Sequence, residues 1–280
     1  MTRFIDAHVH PPIREFLEGP VAAYLDDLRT YLHEPIEVQT PDEIAEFYRS
    51  RDAKAVLLGW NSLVGSGYRS LGNNDIAALV DHAPDVFYGF GAVDPAGGAA
   101  AVAGVHQAAR LGLSGLAFHP AAERVVPMGG ESRHLWETAA EHGLVCLIHT
   151  GFTRLGADVA GGGGIGLEPA RPLHVDRVAA AYPRLKIILA HTGRLWLDEA
   201  VAIAIHKGNI HLCLSGISPK AMNPELLDLI RGPLQHRVHF GSDYPFGSPD
   251  SWLTEWDSLG LSAEVSSAVL VDNVTALLAR

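Results

Sequence analysis

The sequence is poor in cysteine and has no long apolar run. Cys146 and Cys213 are the two cysteines among 280 residues, and each lies in an apolar segment that is typical of a strand. We therefore expect buried free thiols in a reducing compartment. A membrane-spanning helix needs about 18 or more apolar residues in succession, and no stretch of the chain approaches that length. These absences favour a cytoplasmic protein without a membrane partner.

Positive charge is also scarce. Lys and Arg together number 21 against 32 Asp and Glu, which gives a formal net charge of -11. The basic residues form no run that could follow a phosphate backbone, so we do not expect nucleic acid as a partner. Because an acidic chain offers anions no general attraction, an anionic ligand would need a local cluster of Arg, His or metal.

Apolar residues are plentiful and fall into short segments. They make up 48% of the sequence, which is enough for a sizeable core. Eight short segments rich in β-branched or aromatic residues predict strands. They lie near residues 3–9, 54–60, 86–93, 114–119, 144–149, 185–191, 210–215 and 237–242.

Helix-compatible patterns occupy the intervals between these strands. They cover residues 41–52, 74–83, 97–112, 131–143, 173–183, 195–207, 223–235 and 250–259, and a closing helix is predicted over 262–279. Eight repeats of strand and helix, without a change of composition, predict one α/β domain over residues 1–280, a (β/α)8 TIM barrel. An open doubly wound sheet is the alternative, but it would need a glycine-rich phosphate turn after an early strand. The glycines at 161–164 come too late for that turn.

Three connections are long for this fold, namely residues 11–40, 61–72 and 152–172. Each follows the carboxyl end of a predicted strand. Those ends share one face of a parallel barrel, so we expect the long connections to form an active-site wall or lid. Plain surface elaboration is the alternative.

Histidine and aspartate side chains stand at the ends of predicted strands. They are His8, His10, His119, His149, His191 and Asp243. Alternation along a strand puts residues i and i+2 on the same side, so His8 and His10 project together and can hold one ion. A divalent ion such as zinc binds about four N, O or S ligands, which three His and one Asp would supply. A lone histidine on a barrel rim is more simply a polar surface residue, but convergence of the whole set favours a metal site.

Six stretches of the sequence carry a family resemblance. They are IDAHVH (5–10), GLAFHP (115–120), LIHTG (147–151), ILAHTG (188–193), FGSDYP (240–245) and DNVTALL (272–278). In order and spacing, along essentially the whole chain, they resemble the amidohydrolase superfamily. They are most similar to its branch that contains aminocarboxymuconate-semialdehyde decarboxylase.

The resemblance implies a set of ligands for one divalent metal ion, usually zinc, with manganese as an alternative: His8, His10, His149 and Asp243. It also implies that His191 faces the metal-bound water. Some members of the superfamily bridge two metals with a carboxylated lysine on the fourth strand. Here Ala117 stands in that neighbourhood and offers no amine, so a single metal is favoured.

The chemistry of such a site follows from general principles. Zinc lowers the pKa of bound water from about 15.7 to about 7 and can polarise a carbonyl group. Asp243 would accept the proton of the water, and His191 would orient the water or stabilise a developing oxyanion. We therefore predict Asp243 and His191 as catalytic residues. Asp6 lies deeper on the same side of the strand and is expected to support the ligands or to be a structural carboxylate.

Four further residues are candidate substrate contacts, and each has a simpler alternative. His119 would touch the substrate unless Pro120 turns its ring toward the backbone. Arg154 would clamp a carboxylate through paired hydrogen bonds unless it is a solvated surface charge. Trp60 and Trp196 would form an aromatic wall unless they pack within the barrel or against helices.

Three functions are compatible with these residues. The first is hydrolysis of a small amide, lactone or ester by metal-activated water. The second, which the resemblance implies, is non-oxidative decarboxylation of a small carboxylic acid, and the same ligands would serve both reactions. The third is an inactive, metal-free binding barrel, but none of the ligand positions is lost here. We expect a small carboxylated or cyclic substrate, and the resemblance also allows a homodimer.

Overall fold

The computed structural model describes residues 2–33, 35–61, 68–129 and 132–279. Eight strands form one sheet in sequence order, and each pairs in parallel with the next. The strands are β1 Phe4–Val9, β2 Ala53–Leu58, β3 Phe87–Gly91, β4 Gly115–Phe118, β5 Val145–Gly151, β6 Ile187–Arg194, β7 Ile210–Cys213 and β8 Val238–His239. Hydrogen bonds from Ala7 N to Phe240 O and from Asp243 N to His8 O, each 3.0 Å, link β1 to the segment after β8. The predicted (β/α)8 TIM barrel is confirmed.

Helices follow the strands along the chain. Their bounds are α1 Arg14–Leu17, α2 Leu25–Leu32, α3 Pro41–Arg49, α4 Asn73–His82, α5 Ala99–Arg110, α6 Pro120–Glu123, α7 Arg133–Glu141, α8 Leu173–Ala181, α9 Leu197–His206, α10 Pro224–Arg231, α11 Pro249–Ser258, α12 Ala263–Ser267 and α13 Asn273–Leu278. Local sequence explains several starts, because Thr40, Asn223, Ser248 and Ser262 cap the helices that follow them. The closing helix predicted over 262–279 is divided by a π-helical turn, Ala268–Asp272.

The barrel interior is apolar and is closed at one end by the last helix. Side chains such as Ile5, Val56 and Ile188 fill the interior, and Leu277 of α13 belongs to the same buried cluster. Lys186, which precedes β6, donates a hydrogen bond to Leu277 O at 3.5 Å, so α13 covers the amino-terminal end of the barrel. The carboxyl ends of the strands thus form the end of the barrel that α13 leaves uncovered.

The long connections at 11–40 and 152–172 lie against each other. The hydroxyl of Tyr24 donates to Gly163 O at 3.5 Å, and the rings of Tyr31 and Phe152 lie 6.5 Å apart. These contacts form one wall at the carboxyl end. Residues 62–67 of the third long connection lie outside the described residues. Both cysteines are buried and free, and none of the described helices is long and apolar enough to cross a membrane.

Candidate metal centre and substrate cavity

The carboxyl end of β1 supplies two imidazoles. His8 and His10 are buried, and their Nε2 atoms lie 3.1 Å apart. Oδ1 of Asp243 lies 3.4 Å from Nε2 of His8 and 3.6 Å from Nε2 of His10. The hydrogen bonds from Asp243 N to His8 O and from His10 N to Tyr244 O fix the position of β1 relative to the segment after β8. Three potential metal ligands therefore converge at one point.

Asp6 ties β1 to the residue before Asp243. Its carboxylate accepts hydrogen bonds from the backbone N and the hydroxyl of Ser242, at 2.8 and 2.5 Å, and from the hydroxyl of Tyr48 at 3.1 Å. The backbone N of His8 donates to it at 3.2 Å. Burial raises the pKa of Asp6 to about 6, although these hydrogen bonds favour the charged form. Asp6 thus positions the backbone next to two of the potential ligands.

Two site residues have an unusual backbone conformation. His191 has a φ of 59° and Asp243 a φ of 65°, in the left-handed region that few residues other than glycine adopt. Such conformations cost on the order of 1–3 kcal/mol and persist where the surrounding structure enforces them. Here His191 lies within β6 and Asp243 follows β8, and both residues line the same cavity at the barrel mouth.

Ser215, just after β7, joins two of the histidines, and the sequence analysis did not single it out. Its hydroxyl lies 2.9 Å from Nδ1 of His8, and its carbonyl oxygen lies 3.0 Å from Nδ1 of His191. Because a carbonyl oxygen only accepts, Nδ1 of His191 carries the hydrogen and Nε2 is left with a lone pair. The available signal was its place as a polar residue at the end of the predicted strand 210–215.

His119 caps the short helix α6. Its Nδ1 accepts a hydrogen bond from the backbone N of Ala122 at 3.1 Å, and its Nε2 lies 3.2 Å from the hydroxyl of Thr153. Both ring nitrogens therefore have hydrogen-bond partners within the protein, one of them in the backbone. This agrees with the alternative that Pro120 turns the ring toward the backbone. Its ring still lines the cavity and stacks on His149, with centroids 3.8 Å apart. Direct contact with a substrate stays a prediction.

His149 lies beside the three converging ligands without joining them. Its ring is 4.5 Å from that of His191, and its Nε2 has no hydrogen-bond partner among the described residues. His8, His10 and Asp243 form the one group in the described part of the chain whose ligand atoms all lie within 4.8 Å of one another. The role of His149 as a ligand stays a prediction, and its unpaired nitrogen is consistent with it.

The protonation states suit a divalent cation. Burial lowers the pKa of His8, His10 and His149 well below the ordinary value, and neighbouring imidazoles add to the effect. Burial raises the pKa of Asp243 to about 6, which the guanidinium of Arg154 opposes. Metal ligation requires neutral imidazole nitrogens and a carboxylate, so this set of donors fits zinc or manganese.

Arg154 enters the site from the loop after β5. Its Nη1 donates a hydrogen bond to Oδ2 of Asp243 at 2.5 Å, and its side chain is 21% exposed. It is therefore paired and largely covered rather than a solvated surface charge. Arg194 lines the same cavity and lies over the ring of Phe152, 5.4 Å from its centroid. The guanidinium of Arg154 thus faces the potential metal ligands, and Arg194 lines the same cavity.

The two tryptophans of the sequence analysis have different positions. Trp60 lies between His10 and His119, with ring centroids 4.9 Å from each, and forms part of the cavity wall. Trp196 is not among the described residues that line this cavity. The chain turns away after β6 through left-handed residues that include Leu195, and the backbone N of Trp196 bonds to Gly193 O at 2.5 Å. Trp60 therefore lies in the cavity wall, whereas the substrate contact of Trp196 stays a prediction.

These residues surround one cavity at the carboxyl end of the barrel, which we call the outer cavity. It is lined by His10, Leu28, Trp60, His119, His149, Phe152, Thr153, Arg154, Leu155, His191, Arg194, Gly216, Asp243 and Phe246. Imidazoles and aromatic rings form its floor and one wall, and the two arginines supply its positive charge. It can hold a small, flat anion next to a metal ion.

A family model described as amidohydrolase matches residues 5–280. Because the match spans nearly the whole chain, the chain belongs to the amidohydrolase family, and the resemblance inferred from its motifs is confirmed. No curated protein matches the sequence.

Three solved structures show the same fold. A TIM-barrel protein of Bordetella bronchiseptica is 22% identical, with a TM-score of 0.77 and 98% of each chain covered. A 5-carboxyvanillate decarboxylase from Novosphingobium aromaticivorans, solved with manganese and a nitrobenzoic acid, is 17% identical, with a TM-score of 0.73 over 98% of this chain and 95% of that chain. A putative 2-pyrone-4,6-dicarboxylic acid hydrolase from Pseudomonas putida is 20% identical, with a TM-score of 0.65 over 99% and 98% of the two chains.

Proposed function

We propose that this chain is a metal-dependent carboxy-lyase that removes carbon dioxide from a small carboxylic acid. The observation that carries the proposal is the position of Arg154, whose guanidinium lies 2.5 Å from Asp243 inside the outer cavity. Arg194 lines the same cavity. In a chain with a net charge of -11, two guanidiniums beside potential metal ligands make a local site for an anion.

His8, His10 and Asp243 would hold the metal, with His149 as the neighbouring fourth candidate. The donor set suits zinc, which the sequence analysis favoured, and manganese, which accompanies the decarboxylase of similar fold. A divalent ion bound there would act as a Lewis acid toward a substrate oxygen. Every other contribution comes from side chains of the chain itself.

Arg154 would bind the substrate carboxylate and orient it in the outer cavity. Asp243, whose pKa burial raises to about 6, would take up a proton from solvent and pass it to the carbon that bears the carboxylate. The bond to the carboxyl carbon then breaks, its electron pair returns to the protonated fragment, and carbon dioxide leaves. Trp60 and the stacked His119 would exclude water from this step.

Hydrolysis, the first function expected from sequence, is the second candidate. It is favoured by the tautomer of His191, because hydrogen bonding of Nδ1 to Ser215 O leaves Nε2 as a proton acceptor in the outer cavity. Burial and the charge of Arg154 lower the pKa of His191 to about 3, so its imidazole is neutral at pH 7. A neutral acceptor of this kind can orient a water molecule by accepting a hydrogen bond from it.

One experiment separates the two reactions. Manganese-loaded and zinc-loaded protein is incubated with hydroxylated aromatic acids, muconate-type acids, lactones and amides, and the products are identified by mass spectrometry. We expect a product that has lost the mass of carbon dioxide, and we expect Arg154→Gln to abolish it while the metal is retained. A product that has gained the mass of water would instead establish hydrolysis. Retained decarboxylation in Arg154→Gln would contradict the assigned role of that residue.

A further inference from the structure

A second, smaller cavity lies deeper in the barrel, and we call it the inner cavity. Its lining comes from the carboxyl-terminal parts of β1, β2, β4 and β5 and from the residues just after them. Among these residues are His10, Trp60, Ala117, Glu123 and His149. It shares His10, Trp60, His119 and His149 with the outer cavity. A group attached to a substrate in the outer cavity therefore reaches the inner cavity between aromatic faces. The Ala117 methyl group on its wall occupies little of this space.

Glu123 is the unusual member of this lining. It ends α6, its side chain is 3% exposed, and its Oε2 finds no hydrogen-bond partner among the described residues. A buried carboxyl oxygen without a partner costs about 1–3 kcal/mol of stability, so its presence calls for a reason. None of the residues that we assign to metal binding or proton transfer uses it.

The charge state of Glu123 follows from its surroundings. Burial raises its pKa to about 8, the carboxylate of Asp94 adds to this effect, and a hydrogen bond with the backbone of His119 opposes it. The group is therefore an uncharged carboxylic acid at pH 7. As such it can donate one hydrogen bond and accept others, unlike an ionised carboxylate.

The two cavities differ in charge and in size. Arg154 and Arg194 line the outer cavity, whereas neither lines the inner one. A second carboxylate in the inner cavity would find no arginine to pair with and would share the cavity with the buried carboxyl group of Glu123, which is unfavourable. The volume of the inner cavity is about 20 Å³, close to what one water-sized group requires. A hydroxyl or carbonyl oxygen is both uncharged and small enough for this cavity.

We propose that the inner cavity is a subsite for one uncharged oxygen substituent of the substrate, a hydroxyl or a carbonyl, and that Glu123 is the residue that binds it. The proposal rests on the proposed function, since it assumes a carboxylate held by Arg154 in the outer cavity. The substrate class is then a flat acid that carries its carboxylate and a neutral oxygen at different positions. Glu123 determines specificity and takes no part in proton transfer to carbon.

Binding of defined probes tests this subsite without knowledge of the natural substrate. Dissociation constants of benzoate and of 2-, 3- and 4-hydroxybenzoate are measured by isothermal titration calorimetry with manganese-loaded protein. We expect one hydroxybenzoate to bind about tenfold tighter than benzoate, the effect of one good hydrogen bond. In Glu123→Leu that preference should vanish, and in Glu123→Gln, which keeps a donor and an acceptor, part of it should remain.

Two further variants provide an independent test and a control. Ala117→Val fills the inner cavity without changing Glu123 and should also abolish the preference, so the test stands even if Glu123→Leu does not fold. Glu137→Gln changes an exposed glutamate of α7 and should keep the full preference. The subsite is disproved if the preference survives in both Glu123→Leu and Ala117→Val, or if no hydroxybenzoate exceeds benzoate. Failure of every carboxylate to bind would instead overturn the proposed function and the subsite with it.

Discussion

The barrel contains two pairs of neighbouring histidines whose ring nitrogens have nearly the same separation in different surroundings. Nε2 of His8 and Nε2 of His10 lie 3.1 Å apart at the carboxyl end. Nδ1 of His211 and Nε2 of His239 lie 2.9 Å apart nearer the amino-terminal end, on β7 and β8. The first pair has the carboxylate of Asp243 within 3.6 Å. The second has no carboxylate close enough to form a three-ligand group within the described ranges.

The charges around the second pair are of the opposite sign. Burial, together with the cations Arg237 and Lys186, lowers the pKa of His211 to about 4. Positive charge next to neutral imidazoles disfavours a further cation, whereas a carboxylate attracts one. Proximity of two imidazoles is therefore insufficient for a metal site. We therefore expect the pair that has the carboxylate to be the one that binds a metal.

The largest expected effect comes from removing that carboxylate. Asp243→Ala should lower metal affinity by more than about a hundredfold, since loss of a supporting partner alone costs about 10–100-fold. Metal per chain is measured by elemental analysis after dialysis against a fixed concentration of manganese. His239→Asn is the matched change in the other pair and should leave the metal content at the wild-type level. Equal losses in the two variants would contradict the comparison.

Removing His191 should separate metal binding from turnover. His191 shares the carboxyl end with His8, with ring centroids 4.9 Å apart, but it lies outside the three-ligand group. We expect His191→Gln to retain the metal and to lose about 10²–10⁴-fold in turnover, the usual contribution of an acid or base. Turnover is measured with the substrate found in the product screen. Loss of the metal in His191→Gln would make it a ligand instead.

Sequence was sufficient to predict the fold and the end of the barrel at which the site lies. Parallel strands end on one face, and alternation along β1 puts His8 and His10 on one side, so their convergence needs no knowledge of loops. His191 and Asp243 were also found at the ends of predicted strands, and the resemblance assigned their roles. His8, His10, His191 and Asp243 all lie at the carboxyl end of the barrel, and their roles remain predictions.

The rest of the site depends on loop paths and on pairings that no local pattern encodes. Arg154 meets Asp243 across 89 residues of sequence, and that pairing depends on how the loop after β5 folds back. The position of Trp196 depends on the left-handed residues after His191, which include Thr192 and Leu195 and which the sequence pattern does not reveal. Glu123 follows a strand in a short helix, and its burial is visible only in three dimensions.

Ser215 provides a finer test of the carboxyl-end pair. Its hydroxyl lies 2.9 Å from Nδ1 of His8, so it fixes the ring orientation and leaves Nε2 free for a metal. Ser215→Ala should lower metal affinity by about 10–100-fold, measured by competition with a fluorescent chelator. Ser218→Ala removes a hydroxyl that bonds to Glu255 instead and should leave the affinity unchanged. An unaltered affinity in Ser215→Ala would show that His8 is oriented by its backbone alone.

The smallest effect concerns the His211–His239 pair and the pH dependence of stability. Because the pKa of His211 is about 4 in the folded chain and ordinarily 6.5, the unfolded chain binds more protons between these pH values. The stability gained by keeping His211 neutral is therefore complete above pH 6.5 and is lost as the pH falls toward 4. In His211→Gln the slope of unfolding free energy against pH should be shallower by up to roughly 1.4 kcal/mol per pH unit in this range. Urea unfolding of chelator-treated protein measures the slope, and His134→Gln, on the exposed face of α7, should keep the wild-type value. An unchanged slope in His211→Gln would mean that water reaches this pair, and the contrast between the two pairs would then rest on the carboxylate alone.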